Sequence, residues 1–348
     1  MSNATRWYAT REALKAIVGI GGASSDAAID ASIEAASEDI EVAHGRRYIP
    51  YTATKQYPWP SKRNPIAYRL DLDEDLLAVT ALTKDTDDVT AIASTDYFLE
   101  PVNSGPPYDR IEIDLASTAY FSSEDTSQRA LRVTGRWGYG EDTKAAGALA
   151  EADDGSETAL DVTDASLIDV GNTILIGTEA MFVSGRAVLT IGTTLNDTLT
   201  ADLDDVTVTL ASGAAAKQGE VLLFDSEKML VESISGNDLT VKRAYDGSVL
   251  AAHSTGITVY AYRTLTVVRA VNGTTAATHA TAAAITKYAP PADIVELCIA
   301  QAIAHLKQGQ SGWTGQISGG EGAVQVRMVD LFHLRERMKS KYKRWVFA

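Results

Sequence analysis

The chain contains 348 residues, of which 45% are hydrophobic, and it carries a formal charge of −15 at pH 7. This length allows a sizeable buried core and predicts about two domains. The single cysteine, Cys298, excludes a disulfide framework and suits a reducing compartment. The acidic charge argues against general binding to nucleic acid or to anionic membranes. The sequence shows neither an apolar run near the ~18 residues of a membrane span nor the apolar block of a signal peptide.

Two helices are predicted near the N-terminus. In TREALKAIVGI, Thr10 is a candidate N-cap and Gly19 a candidate stop signal. The segment SSDAAIDASIEAASEDIEVAHG then places one apolar stripe along a longer helix, which Ser25 can cap and Gly45 can end. Strand candidates follow at residues 68–72, 76–83, 96–100, 110–115 and 131–137.

Between the second helix and these strands lies a segment rich in aromatic residues and proline, RRYIPYTATKQYPWPSKRNP. Its composition predicts an extended arm. Stacking on nucleotides or sugars is one interpretation of its aromatic residues, and contact with a neighbouring subunit is the interpretation we favour. The candidate residues for this inter-subunit contact are Tyr48, Tyr51, Tyr57 and Trp59.

Residues 141–289 differ in composition from the rest of the chain. Helical periodicity disappears, and Thr, Val, Ala, Gly and Asp dominate. With 20 acidic residues against 9 Lys and Arg, this segment also carries most of the excess negative charge. The pattern predicts an all-β domain with short strands and glycine turns.

The same segment contains internal repeats. GNTILIGTEAMFV (171–183) matches GEVLLFDSEKMLV (219–231) at an offset of 48, and LTVKRAYDGSVLAAHSTG (239–256) matches LTVVRAVNGTTAATHATA (265–282) at an offset of 26. Such self-similarity predicts duplicated β units. His253 and His279 recur because the unit was copied. We expect each to pack at a turn and to bind backbone rather than a metal, since the chain has neither HExxH nor CxxC.

The C-terminal part is predicted to be helical. Pro290 and Pro291 end the β segment and begin a helix that is apolar on two sides. A Gly- and Ser-rich stretch at 309–323 predicts a flexible loop. The last helix and tail, 324–348, are basic, with seven Lys and Arg against two acidic residues between positions 327 and 344.

The simplest domain organisation is an insertion. Residues 1–140 and 290–348 are predicted to form one discontinuous α+β core, in which helices dominate and the sheet is small. Residues 141–289 are predicted to be an inserted all-β domain. Its borders, GRWGYGED and YAPPAD, have the composition of tolerated insertion sites, so we expect this domain to point outward and to be removable.

Four segments carry a family resemblance: ATREALKAIVGI, AASEDIEVAHGR, LRVTGRWGYG and PPADIVELCIAQAIAHL. In this order they resemble the head–tail connector (adaptor, head-completion) proteins of tailed bacteriophages. In that family the last helix follows the sheet almost at once, whereas here residues 141–289 intervene. The duplicated β units resemble small modules of phage neck and tail proteins.

The resemblance implies a structural virion protein that forms a homo-oligomeric ring, usually a dodecamer, beneath the portal protein. Such a ring lies in the neck of the particle after assembly in the host cytoplasm. It extends the DNA channel, retains the packaged DNA that passes through it, and presents a surface to a tail-side neck or tail terminator protein.

The basic C-terminal helix is the predicted portal-docking element. The docking candidates are Arg335, Arg337, Lys339, Lys341, Lys343, Arg344, Trp345 and Phe347. Contact with DNA phosphates is a second interpretation of these basic residues, and in a third the helix packs on its own core and its charges are solvated.

No catalytic, cofactor or metal site is predicted, because the chain has neither a GxSxG nor a Walker motif. The acidic clusters DLDEDLL and DLDD could hold a cation, although solvated turns or sheet edges are the favoured interpretation. A second function stays open: a carbohydrate-binding or glycan-processing phage tail module, which only the β repeats support.

Overall fold

The computed structural model describes residues 5–60, 66–84, 90–123, 126–310 and 328–344. Within these ranges the chain forms four α-helices and two antiparallel sheets. The helices are α1 (Arg11–Val18), α2 (Asp26–His44), α3 (Ala292–Gln310) and α4 (Met328–Tyr342).

The first sheet lies entirely before residue 140. Its strands are β1 (Tyr51–Tyr57), β2 (Arg69–Lys84), β3 (Thr90–Ile92), β4 (Tyr97–Glu100), β5 (Tyr108–Ile113) and β6 (Leu131–Trp137). The strand order is β1-β6-β2-β5-β4, and β3 pairs with β2. One face of this sheet encloses its own hydrophobic cluster, in which Leu76, Ile111 and Trp137 are fully buried.

The second sheet has ten strands. They are β7 (Thr143–Ala148), β8 (Ala159–Asp161), β9 (Thr173–Ile176), β10 (Glu179–Thr194), β11 (Thr207–Thr209), β12 (Val221–Phe224), β13 (Glu227–Ser235), β14 (Asp238–Lys242), β15 (Thr258–Val268) and β16 (Ala284–Tyr288). The order is β11-β14-β13-β12-β15-β10-β9-β16-β7, with β8 paired to β15.

The expected fold class, a helical α+β connector core with a small sheet plus an inserted all-β domain, is wrong. β structure predominates: of the described residues, 38% are strand and 22% are helix, and the strands form two large antiparallel sheets. Part of the reason lies at residues 51–57, for which the composition predicts an extended arm but which pair with β6 along their whole length. In addition, the separate strands expected at 68–72 and 76–83 are one strand, β2, which is interrupted by irregular register.

The capping residues that the sequence predicts are found at both ends of α1 and at the C-terminal end of α2. The Thr10 side chain accepts a hydrogen bond from the Ala13 amide, and Gly19 ends α1 in the left-handed conformation that glycine adopts at no steric cost. Gly45 ends α2 in the same conformation. Ser25 precedes α2 without a capping hydrogen bond from its side chain.

The two β units are nested, because one lies within a hairpin of the other. We call residues 143–187 with 264–288 the outer unit, and residues 188–263 the inner unit. The isolated bridges repeat between them: Leu149 pairs with Val162 in the outer unit, as Leu195 pairs with Leu210 in the inner unit. Each unit also has three left-handed residues in one turn, at 270, 272 and 273 and at 244, 246 and 247.

Nesting explains why the sequence repeats have two different offsets. The first half of the outer unit precedes the inner unit, and its second half follows it. The long strands β10 and β15 join the units: Phe182 pairs with Val268 at the outer end, and Leu189 pairs with Ala261 at the inner end. The outer segment 171–183 therefore lies 48 residues before its inner counterpart, 219–231. The outer segment 265–282 lies 26 residues after its inner counterpart, 239–256.

The outer unit shares a hydrophobic cluster with the helices, whereas the inner unit has a cluster of its own. Phe182 of β10 meets the indole of Trp7 edge to face, with ring centroids 5.2 Å apart. The Arg11 amide donates a hydrogen bond to the Val170 carbonyl, with N and O 3.1 Å apart. The helices therefore lose buried contacts if the outer unit is removed.

We expect the inner unit to be removable. Replacing residues 188–263 with an Asn-Gly turn joins Ala187 to Thr264, which already face each other across β10 and β15. The shortened chain should keep one cooperative thermal unfolding transition, because the clusters of the outer unit and the helices stay intact. Calorimetry and circular dichroism measure this.

The inner-unit deletion is compared with a second variant, in which a Gly/Ser linker replaces both units, residues 143–288. It removes Val170 and Phe182 from the helical cluster, so we expect an unfolded or molten chain. If the larger deletion folds and the smaller one does not, the nested arrangement is wrong.

Candidate functional site

The C-terminal helix α4 packs on the chain's own helices. Leu331, Met338 and Tyr342 are buried in the cluster that α1, α2 and α3 form. The Tyr342 hydroxyl donates a hydrogen bond to an Asp293 carboxylate oxygen at 2.8 Å, and the Lys341 ammonium lies 2.6 Å from that carboxylate. One face of α4 therefore packs against the other three helices.

The residue that follows α4, Arg344, is anchored more deeply. Its Nη1 lies 2.8 Å from Asp75 Oδ1, and both side chains are less than a tenth exposed. Arg46 binds the other oxygen of Asp75 at 3.0 Å. Burial raises the pKa of Asp75 above its ordinary value, although both guanidinium groups act against this change. Of the predicted docking residues, Lys341 and Arg344 thus bind carboxylates of other parts of the chain, and Lys339 lies 3.9 Å from Glu336 of its own helix.

A basic face remains on the solvent side of α4. Arg337 is exposed, and Arg335, Lys339 and Lys343 are half-buried. Phe332 lies on the same helix with 59% of its surface exposed. Two further docking candidates, Trp345 and Phe347, lie outside the described residues, as does the part of the predicted flexible loop from residue 311 to 323.

The predicted inter-subunit aromatic residues pack within the chain. Tyr48, Tyr57 and Trp59 are buried, and Tyr51 is half-buried. The Tyr57 hydroxyl donates to Asp73 at 2.6 Å, and Trp59 meets a neighbouring phenylalanine ring at 4.9 Å. β1 is an outer strand of its sheet, and the side chains on its exposed face are polar ones, at positions 52, 54 and 56.

In the inner unit, His253 belongs to a buried charge cluster. Glu227 is fully buried and binds Nε and Nη2 of Arg243, both at 2.8 Å. His253 Nε2 lies 3.0 Å from Glu227, and its Nδ1 lies 3.0 Å from Asp225. The backbone amides of Ala244 and Ala251 complete the shell around the carboxylate.

The outer unit repeats this cluster at the corresponding positions. Glu179 is fully buried and binds Nε and Nη2 of Arg269 at 3.0 and 2.7 Å, and His279 Nε2 at 3.0 Å. Asp153 adds a second carboxylate, which lies 2.6 Å from Arg269. Each histidine is therefore a partner of a buried glutamate.

This arrangement corrects the expected environment of the histidines. Their rings bind carboxylates, whereas the sequence suggested backbone partners. The repeat alignment already placed Glu and Arg in register in both copies, so the signal was present. It gave no indication that these residues meet the histidine, because strand pairing and the turns after the strands, which the repeat alignment does not contain, bring the three side chains together.

The acidic clusters of the sequence are satisfied by the chain itself. In DLDEDLL, Glu74 pairs with Lys55, and Asp75 pairs with Arg46 and Arg344. In DLDD, the Asp202 and Asp205 side chains accept hydrogen bonds from nearby backbone amides. Over the described ranges, no group of three or more His, Cys, Asp or Glu side chains has a geometry suited to a metal ion.

Comparisons with known proteins leave the family open. No protein-family model, no curated protein and no solved structure matches the chain. Among the described helices, none is both long and apolar enough to span a bilayer.

We expect Glu227→Gln to destabilise the protein strongly. It leaves the guanidinium of Arg243 buried without a carboxylate, which costs about 3–5 kcal/mol. The matched control is Glu232→Gln on the same strand, because this exposed residue should change the free energy of unfolding by less than about 0.5 kcal/mol. Urea titration measures both values. Equal effects in the two variants would show that the cluster contributes nothing.

The same cluster predicts acid sensitivity. Burial would raise the pKa of Glu227, but hydrogen bonds from Arg243, two backbone amides and His253 outweigh it and lower the pKa to about 2. A depressed folded-state pKa stabilises the protein fully above the ordinary value of 4.5. We expect this contribution to disappear as the pH falls from about 4.5 towards 2. Urea titrations across this range should show a smaller loss in Glu227→Gln, and parallel curves would contradict the assignment.

Proposed function

We propose that this protein is a structural virion component, a subunit of the oligomeric ring that connects portal and tail. The observation that carries the proposal is that the buried polar groups are paired with one another inside the fold. Glu179, Glu220 and Glu227 are each neutralised by an arginine of the same domain, and Cys298 is enclosed in the helical cluster. Carboxylates paired in this way are occupied within the fold, where loss of either partner is costly, and they are not placed to act on a substrate.

The packing of the helices also supports the proposal. α1 and α2 begin the chain, whereas α3 and α4 follow the nested β units, and all four contribute to one hydrophobic cluster. These helices contain three of the four segments that carry the resemblance to head–tail connectors. This order of elements is a second support for the proposal, which applies to a chain that is mostly β.

In this function the outward face of α4 docks on an acidic surface of the portal protein. Arg335, Arg337 and Lys339 steer the approach, because a basic face on an otherwise acidic chain is attracted to negative potential. The ring, with twelve subunits as the expected number, lies in the neck of the particle and surrounds the passing DNA. Its opposite face meets a tail-side neck or tail terminator protein.

We expect the double variant Arg337→Glu, Lys339→Glu to fold normally and to lose attachment to portal-containing heads by about tenfold or more. Both residues lie on the solvent side of α4, so the anchors Lys341 and Arg344 remain. Co-sedimentation with tail-less heads measures attachment, and thermal unfolding verifies the fold.

The matched control is Lys144→Glu, Lys217→Glu, which makes the same charge change in the β units and should attach normally. Equal attachment of both double variants would disprove docking through α4. Mass measurement tests the ring itself: a protein that stays a monomer in particles and binds glycans would replace this proposal with the carbohydrate-binding function.

A further inference from the structure

Within the described residues, His44 is the buried histidine that forms no ion pair with a carboxylate. The side chains of His253 and His279 are also less than a tenth exposed, but each lies 3.0 Å from a buried glutamate. His44 is the last residue of α2, and 1% of its surface is exposed. Its Nδ1 lies 2.7 Å from the Tyr48 hydroxyl oxygen, which can donate a hydrogen bond to the neutral ring. A proton on His44 would therefore be buried without an opposite charge in contact with it.

The charged groups around His44 come from each element that packs against it. Burial is the main cause that lowers the pKa of His44 from its ordinary value of 6.5 to about 4. Arg46, which follows α2, and Lys339 of α4 lower this pKa further, whereas Asp293 at the start of α3 acts against them. Two side chains of α4 already bind the Asp293 carboxylate. Glu41, one turn earlier on α2, already binds a tyrosine hydroxyl and two arginine side chains. These surroundings favour the neutral form of His44.

The end of α4 covers His44. The Tyr342 ring packs near the imidazole, with ring centroids 6.1 Å apart, and the Arg344 amide donates a hydrogen bond to the His44 carbonyl at 2.9 Å. α4 contributes three buried side chains to the helical cluster, whereas α3 contributes seven. Because its apolar contact is smaller, α4 can separate from the bundle at a lower cost than α3 can. α4 is therefore the element that a buried charge on His44 would displace.

We infer that His44 is a pH-sensitive switch that controls the docking of α4 on the helical bundle. Above about pH 6.5 the ring is neutral whether α4 is docked or released, so docking does not depend on pH. Below this value the exposed ring of the released state takes up a proton, whereas the buried ring of the docked state stays neutral down to about pH 4. The proton therefore favours release, by about tenfold for each pH unit between these two values.

Release of α4 changes the surface of the molecule and leaves the rest of the junction paired. Leu331 and Met338 lose their cover, and the basic face that the proposed function assigns to portal docking moves away from the bundle. Arg46 stays on Asp75 when Arg344 leaves it. The consequence for docking rests on the proposed function, whereas the switch itself depends on contacts within one chain.

Hydrogen exchange of the full-length protein, read by mass spectrometry, tests the inference. Exchange times are adjusted for the intrinsic pH dependence of amide exchange, and peptides from α4 are compared with peptides from α2 and α3. Between about pH 7 and about pH 5 we expect exchange in α4 to accelerate about tenfold or more, because the released state gains a proton. Exchange in α2 and α3 should change by less than about twofold.

Two variants assign the effect to His44. His44→Gln removes the titrating ring and keeps a polar side chain, so exchange in α4 should be equally fast at both pH values. Lys339→Glu exchanges a nearby cation for a carboxylate and should reduce the acceleration at least about threefold. This side chain is 42% exposed, so its variant tests the inference even if His44→Gln does not fold. The matched control is His305→Gln in α3: this histidine pairs with Asp39, and its loss should leave the acceleration unchanged.

An unchanged exchange rate in wild-type α4, or equal acceleration in the wild type and in folded His44→Gln, would overturn the inference. Full acceleration in Lys339→Glu would also contradict it. A uniform acceleration of α2, α3 and α4 would show that acid destabilises the whole bundle, and a switch at α4 would then be wrong. These measurements need no portal protein, so they can fail independently of the connector proposal.

Discussion

The pairing of β10 with β15 is the constraint on which the arrangement of the β units depends. These two strands are joined only through the whole inner unit, so their pairing closes a long loop. Closing such a loop costs conformational entropy, but this cost grows slowly with loop length. A folded inner unit removes much of it, because its own hydrophobic cluster already brings the strand ends together. The outer unit can then form as though it were continuous.

Buried charge gives each unit a defined internal register. Glu179 and Glu227 lie at the start of β10 and β13, where each accepts hydrogen bonds from an arginine, a histidine and backbone amides. Removing such carboxylates from water is costly, and a slipped strand would leave Arg243 or Arg269 buried without a partner. These clusters therefore penalise incorrect pairing, which is a reason for a duplicated unit to retain them in both copies.

The two units also differ in what covers the equivalent face of their strands. The outer unit covers its face with Trp7 and becomes part of the helical core, while the inner unit leaves the same face open beside α1. The change from Ala180 to Lys228 accompanies this difference, since a lysine is tolerated only where its ammonium group reaches solvent or a carboxylate. Internal comparison thus shows which positions of the copied unit are buried against the helices in one copy and exposed in the other.

The sequence by itself determined the local features of this protein. The cap at Thr10, the stop at Gly19 and the strand at 131–137 follow from short-range patterns, and the copied β unit was visible as repeated letters. Only the tertiary structure decided that residues 51–57 form a strand, that the units are nested, and that Arg344 binds Asp75. The physical reason is distance along the chain. Periodicity and capping involve neighbouring residues, whereas strand partners and charge partners are selected by long-range packing, which no local pattern contains.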